Sequence, residues 1–76
     1  MNISEVKERL LLGENLAVEV MRNPADVSEW LLWIRGATGK SFMLCGDDNM
    51  PIRSVDTTPF FHLLKDVGFK QATVLF

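Results

Sequence analysis

Residues 29–45 read EWLLWIR-GATG-KSFMLC, two apolar stretches separated by four small residues, two of them glycines. The flanking stretches, residues 29–35 and 40–45, have the length and the aromatic and aliphatic content of β-strands. The segment between them, residues 36–39, has the length and composition of a hairpin loop. The sequence therefore predicts a β-hairpin at the centre of the fold.

A four-residue loop fixes which side chains of this hairpin share a face, because directly opposed residues of an antiparallel pair point to the same side. Both predicted faces are mainly apolar, so one can pack on helices while the other needs a different cover. The predicted pairs are Arg35 with Lys40, Trp33 with Phe42 and Leu31 with Leu44 on one face, and Ile34 with Ser41, Leu32 with Met43 and Trp30 with Cys45 on the other.

A helix and a strand are predicted before the hairpin. Residues 4–12 form the helix, with Asn2 and Glu5 spaced as a capping box and Gly13 placed to end it. Residues 15–21 alternate between apolar and other side chains, the pattern of a half-buried strand. This strand is expected to end at the Asn-Pro dipeptide that follows it.

A short strand, a second helix and a last strand are predicted after the hairpin. Residues 51–55 are expected to form a short edge strand. The second helix begins near Pro59, after a threonine cap, and ends at Gly68. Residues 70–76 alternate again and predict a final strand. The apolar stripe predicted for the second helix is Phe60, Leu63, Leu64 and Val67.

These elements predict a single α+β domain that spans residues 1–76. We expect a small, mainly antiparallel sheet of three to four strands, built around the central β-hairpin, with two helices packed on one face. The chain of 76 residues has room for one domain only.

The composition points to association with another chain. The hydrophobic residues, at 47% of the chain, and the 5 glycines together make about 54% of the 76 residues. A typical globular domain has about 45–50% by this count. Because a small domain has proportionally less interior, we expect part of this apolar surface to contact another chain. In a chain this short, a second copy is the favoured partner.

Residues 36–41, GATGKS, end like a phosphate-binding P-loop. That motif requires a glycine five positions before Gly39, where Ile34 stands, and a helix after its serine. Residues 42–45 continue as a strand instead. We therefore expect a hairpin turn here and no nucleotide site.

The remaining candidates for chemistry are few. Asp47 and Asp48 offer oxygen ligands, but the glycine and glutamate of a calcium loop are missing, and the pattern is typical of a solvated turn. Cys45 and His62 are the single thiol and the single imidazole, with no third group to complete a catalytic set. We expect no metal, no cofactor and no enzymatic activity.

The predicted function is that of a small non-enzymatic accessory protein. It is expected to act by protein–protein contact, as a homodimer or with a protein partner, through the central hairpin; a groove for a small ligand is the further binding mode left open. Aromatic residues and arginine are enriched at such interfaces. The candidate interface residues are Trp30, Leu32, Trp33, Arg35, Lys40, Phe42 and Met43.

A nucleic-acid-binding module is the alternative hypothesis. On the predicted register, Trp33, Phe42, Arg35 and Lys40 share one face, and aromatic rings flanked by cations can stack single-stranded bases. The formal charge of -2 and the absence of clustered lysines argue against this class. Binding to protein is therefore favoured over binding to nucleic acid.

A cytoplasmic location is expected. Residues 1–9 alternate charges and lack the apolar segment of a signal peptide. The longest apolar run, residues 30–34, is far too short to cross a bilayer. One cysteine cannot form an intramolecular disulfide, which fits a reducing compartment.

Overall fold

Two helices and five strands follow one another in the computed structural model, which describes all 76 residues. This composition confirms the α+β class, although the sheet has five strands rather than three to four. The elements are α1 (Ile3–Leu11), β1 (Ala17–Asn23), β2 (Asp26–Arg35), β3 (Ser41–Met43), β4 (Arg53–Ser54), α2 (Thr58–Val67) and β5 (Thr73–Leu75).

Helix α1 begins at the predicted capping box. The Glu5 backbone N–H donates to Asn2 Oδ1 at 2.9 Å, and the Asn2 backbone N–H donates to Glu5 Oε1 at 3.3 Å. Two N–H groups that the helix leaves without a partner are thereby satisfied. The helix ends where Gly13 adopts a positive φ of 83°, as expected for a glycine after a helix.

Helix α2 begins without an equivalent cap. Its N-cap residue, Thr57, has helical rather than extended backbone angles, and its side chain makes no capping hydrogen bond. Phe60, Leu64 and Val67 are buried, and Gly68 ends the helix with a φ of 123°. The helices have 9 and 10 residues, and neither has the length and hydropathy needed to cross a membrane.

Strands β1 and β2 form a hairpin that the sequence did not predict. The turn lies at Asn23 to Asp26, and β2 continues for ten residues, beginning three positions before the predicted strand. The Ala25 backbone N–H donates to Asn23 Oδ1 at 3.0 Å, a local bond that favours this turn. Strand β1 thus ends at the Asn-Pro dipeptide, as predicted, and β2 begins two residues after the proline, at Asp26.

Strand β2 is the centre of the sheet. It pairs antiparallel with β1 on one side and with β3 and β4 on the other. Strand β5 lies at the far edge and pairs with β1 in parallel, so the strand order is β3-β2-β1-β5. The connection between β1 and β5 spans most of the chain and includes α2.

The register predicted for the β2–β3 hairpin is wrong by one residue. Five residues, 36–40, separate the two strands, rather than four. The Gly36 N–H donates to the Lys40 carbonyl at 3.0 Å, so these two residues are opposite each other and set the register. Gly39, within the turn, adopts the left-handed region with φ 84°. The shift places Phe42 on the face opposite Trp33. The observed pairs are Trp33 with Met43, Ile34 with Phe42 and Arg35 with Ser41.

The hydrophobic core lies on one face of the sheet. Alternate residues of β1 and β2 point into it, and buried side chains of both helices complete it. This burial is the main stabilising contribution in the fold. Its buried members are Val6, Val18, Val20, Trp30, Leu32, Ile34, Leu44, Phe60, Leu64 and Val67.

Candidate protein-interaction surface

The sheet face opposite the core carries a second apolar area, which we call the open face. Two rows of side chains cross the sheet here, because directly paired residues point to the same side. None of these residues belongs to the hydrophobic core or to the half-buried side chains packed against it. The rows are Met43, Trp33, Glu19 and Thr73, and next to them Arg53, Leu31, Met21 and Leu75.

The centre of the open face is shielded mainly by its own neighbours. Leu31 is only 4% exposed although it lies outside the core. Met21, Trp33 and Met43 are half-buried, and Leu75 at the sheet edge is 40% exposed. An apolar strip therefore crosses the sheet without a covering layer of the kind that helices provide on the other side.

One ion pair lies beside this strip. Arg35 Nη2 is 2.7 Å from Glu19 Oε1, and the Glu19 side chain is only 15% exposed. Glu19 is directly opposite Trp33, so its carboxylate sits within the apolar row rather than at its margin. An unpaired carboxylate in such a position would lose hydration without compensation. The Arg35 guanidinium provides the opposite charge that compensates for this loss.

A second ion pair lies at the other end of β2. Arg53 Nε is 3.8 Å from Glu29 Oε2, and Asn23 Nδ2 donates to Glu29 Oε1 at 3.5 Å. The open face thus has two carboxylates and two guanidinium groups around its apolar strip. Its charges balance, and both signs are present on the same surface.

The structure divides five of the seven predicted interface residues between two environments. Trp33, Arg35 and Met43 lie on the open face. Trp30 and Leu32 are 7% and 0% exposed and belong to the core, so the contact predicted through them is corrected: they are not surface residues.

Neighbouring side chains explain the burial of Trp30. The Arg22 guanidinium carbon is 4.0 Å from the centre of the indole ring, and the Phe76 ring meets the indole edge-on at 6.2 Å between centroids. The core side chains and the Arg22 guanidinium leave little of the indole for a partner.

The four-residue platform for nucleic acid is not assembled. Phe42, which is 42% exposed, points to the core side of the sheet, whereas Trp33 and Arg35 lie on the open face. Lys40 is in the loop, and Arg35 is already paired with Glu19. The prediction that these aromatic rings and cations share one face is therefore wrong, and the cause is the one-residue change in register.

Sequence reasoning missed part of the open face. The alternation in residues 15–21 places Glu19 and Met21 on one side of β1, but nothing local indicates that this side continues onto Leu31 and Leu75. The missing information is the pairing of β1 with β2 and β5, since it brings together residues up to 54 positions apart (Met21 and Leu75). Arg53 was likewise placed on a strand without a known neighbour.

Three of the residues considered for metal or nucleophilic chemistry, Asp47, Asp48 and Cys45, contact other groups of the chain. Asp47 Oδ1 accepts from Ser4 Oγ at 2.9 Å, and Asp48 Oδ1 accepts from the Met50 backbone N–H at 3.0 Å. The structure brings no three or more metal-ligating side chains together. Cys45 is half-buried, with Sγ 3.7 Å from the Met43 carbonyl oxygen.

Comparison of the chain with protein-family models, with curated proteins and with solved structures gives no match.

Proposed function

We propose that this chain is a small non-enzymatic binding protein that acts in the cytoplasm as a homodimer, with the open faces of two copies packed against each other. The supporting observation is that apolar side chains cross the whole sheet on the side away from the core. Antiparallel sheets commonly leave one face to water, but such a face is then polar. Here the apolar positions are Met21, Leu31 and Trp33 on the two central strands, with Met43 and Leu75 on the edge strands.

The exposed area of the chain also favours association. The folded chain exposes 5110 Å², whereas a monomer of this mass is expected to expose about 4,700 Å². Only 11 of 76 residues are buried, which is a small interior for a stable domain. A stable interface covers about 800 Å² on each partner. Covering the open face would bring the buried fraction closer to that of an ordinary domain.

The chemistry of the open face suits a second copy of itself. In a twofold dimer the same patch forms both sides, so the patch must be complementary to itself. A face with two carboxylates, Glu19 and Glu29, and two guanidinium groups, Arg35 and Arg53, meets this condition. A strongly acidic or basic face would repel its copy. Tryptophan, methionine and arginine are also enriched at protein interfaces.

The assignment to a reducing compartment and the absence of catalysis rest on the residues of the chain. The single thiol, on Cys45, is not part of a cluster of metal-ligating or catalytic side chains. Free cysteines of this kind are typical of cytoplasmic proteins. Binding is therefore the activity that we propose for this chain.

Sedimentation equilibrium at micromolar concentration tests the proposal. We expect a mass of about 17 kDa, twice the 8.6 kDa of the chain. Leu75→Glu places a charge on the open face and should give a monomer. Leu11→Glu is the matched control, since Leu11 is more exposed, at 88% against 40%, but lies at the end of α1.

The two leucine variants separate a specific interface from general hydrophobic association. If exposed apolar area alone drove dimerisation, Leu11→Glu would have the larger effect. Circular dichroism of both variants checks that the fold is retained. A wild-type chain that sediments as a clean 8.6 kDa monomer would refute the homodimer.

A further inference from the structure

A groove of about 550 Å³ lies between the C-terminal half of α2 and residues 68–72, away from the open face. Its volume is within the range of about 300–1,000 Å³ that is typical of small-molecule sites. Phe61, Leu64 and Phe69 provide apolar walls. Leu64 is almost fully buried, Phe69 is half-buried and Phe61 is 46% exposed, so the groove runs from the core to the surface.

The groove is positively charged in a chain that is negatively charged. Lys65 and Lys70 both line it, and no carboxylate does. Neither lysine takes part in any of the three ion pairs of the structure. The chain has 10 acidic and 8 basic residues, so two lysines without an ion-pair partner on one groove differ in sign from its overall charge. Their positive charge would attract an anion to the groove.

The backbone adds hydrogen-bond donors at the same position. The N–H groups of Lys70, Gln71 and Ala72, three consecutive residues that line the groove, donate no hydrogen bond to another group of the chain. Backbone N–H groups are nearly always paired in folded proteins, with water when no other partner is present. The N–H groups of these three residues are therefore free to bind water or a ligand.

We propose that this groove binds a small organic carboxylate with an aliphatic or aromatic body. Phe61, Leu64 and Phe69 would contact the apolar body, while Lys65 and Lys70, with the adjacent backbone N–H groups, would hold the carboxylate. An inorganic anion would leave the apolar walls unused, and an uncharged ligand would leave the lysines unpaired. The site is independent of the homodimer, because none of its residues belongs to the open face.

Titration of the full ¹⁵N-labelled chain with octanoate tests this inference by NMR. We expect saturable shifts of the Lys70, Gln71 and Ala72 amide signals. Acetate, which has the charge without the body, and octylammonium, which has the body with the opposite charge, should give no saturation over the same concentration range.

Variants with reversed charge identify the site. Lys65→Glu with Lys70→Glu should weaken octanoate binding about tenfold or more, because negative side chains at both positions would repel the carboxylate. Lys40→Glu, at an exposed lysine of the β2–β3 loop, is the matched control and should bind as the wild type does. If the double variant fails to fold, which the same spectra show, the paired glutamine substitutions replace it.

Three results would overturn the assignment. They are the absence of saturable shifts with octanoate, equal binding of octylammonium, and octanoate binding that is unchanged in the double lysine variant. Each can occur whether the chain is a monomer or a dimer, so the result is distinguishable from failure of the homodimer.

Discussion

Met21 lies directly opposite Leu31 in the β1–β2 pair, on the sheet face that is outside the hydrophobic core. Leu31 is 4% exposed there, while the next residue, Leu32, is 0% exposed within the core. Two adjacent leucines of one strand are thus buried in different surroundings. Leu32 is enclosed by the fold itself, whereas Leu31 is covered by strand neighbours and, in the proposed homodimer, by the second copy.

This difference predicts that two alanine variants behave differently. Leu32→Ala should lower the free energy of unfolding by about 2–5 kcal/mol, because it leaves a cavity in the core. The Tm of a dimer rises with protein concentration, and Leu32→Ala should keep that dependence. Leu31→Ala should also lower the free energy of unfolding, because Leu31 is 4% exposed in the single chain. It should in addition lose most of the concentration dependence, since it removes apolar surface from the middle of the open face. Thermal unfolding followed by circular dichroism across a wide concentration range measures both effects.

Two results of these measurements would contradict the prediction. A wild-type Tm that does not change with concentration would contradict the homodimer. Equal concentration dependence in Leu31→Ala and the wild type would place the interface elsewhere on the chain.

The ion pair between Glu19 and Arg35 is predicted to stabilise the fold more than the pair between Arg9 and Glu14. The first has a 2.7 Å contact and a carboxylate that is 15% exposed, whereas the second is 3.7 Å long with both side chains more than 40% exposed. Solvent screening weakens exposed pairs. A double-mutant cycle with glutamine substitutions, at one fixed protein concentration, should give a coupling energy of about 0.5–1 kcal/mol for Glu19 with Arg35.

The same cycle on Arg9 and Glu14 serves as the control. Its coupling energy should be close to zero, because long exposed pairs contribute little. A larger value for this pair than for Glu19 with Arg35 would show that burial beside the apolar strip does not strengthen the contact.

The two helix N-termini are predicted to differ in their response to alanine. Asn2→Ala removes both the side-chain acceptor and one half of the capping box, and should cost about 1 kcal/mol of unfolding free energy. Thr57→Ala should cost less, because the Thr57 side chain makes no capping hydrogen bond. Urea denaturation of the two variants compares these costs. A cost for Thr57→Ala equal to that for Asn2→Ala would contradict the prediction.

Local signals in the sequence predicted the helices well. The capping box at Asn2 and the glycines at 13 and 68 act within one helical turn, so their effect does not depend on the rest of the fold. The central strand was also found from its own composition, since seven consecutive residues of β2 are mostly aliphatic or aromatic. These features are determined by neighbours in the chain.

Pairings between distant segments were not predictable in the same way. The register of β2 with β3 depends on one extra loop residue, and the sequence of residues 36–40 is compatible with either loop length. That single residue moved Phe42 to the other face. The parallel contact of β1 with β5 depends on the path of the chain through α2, for which no local pattern exists. Both relationships determine the open face, so the site was only partly predicted.

Asp26, at the start of β2, links the stability of the β1–β2 turn to pH. Its Oδ1 atom accepts hydrogen bonds from Ser28 Oγ at 2.6 Å and from the Ser28 backbone N–H at 3.1 Å. These bonds, the hydroxyl first and the backbone second, lower the pKa of Asp26 below its ordinary value, and the charge of Arg53 adds to the effect. Folding therefore favours the ionised carboxylate.

The direction of the pH dependence follows from this lowered pKa. In the unfolded chain Asp26 titrates near its ordinary pKa of about 3.9. The stabilisation is fully present above that pH and is lost as the pH falls through the lower pKa of the folded chain. Asp26→Asn should therefore be less stable than the wild type at neutral pH, and the difference should shrink in acid. Urea denaturation at several pH values measures it.

Ser28 provides a matched pair of variants for the same carboxyl group. Ser28→Ala removes the hydroxyl donor and should raise the pKa of Asp26 toward its ordinary value, while Ser28→Thr keeps the donor and should leave the pKa low. NMR titration of the Asp26 carboxyl carbon reads the pKa directly. If the pKa is unchanged in Ser28→Ala, the hydroxyl is not the cause of the shift, and the Ser28 backbone N–H and Arg53 would have to account for it.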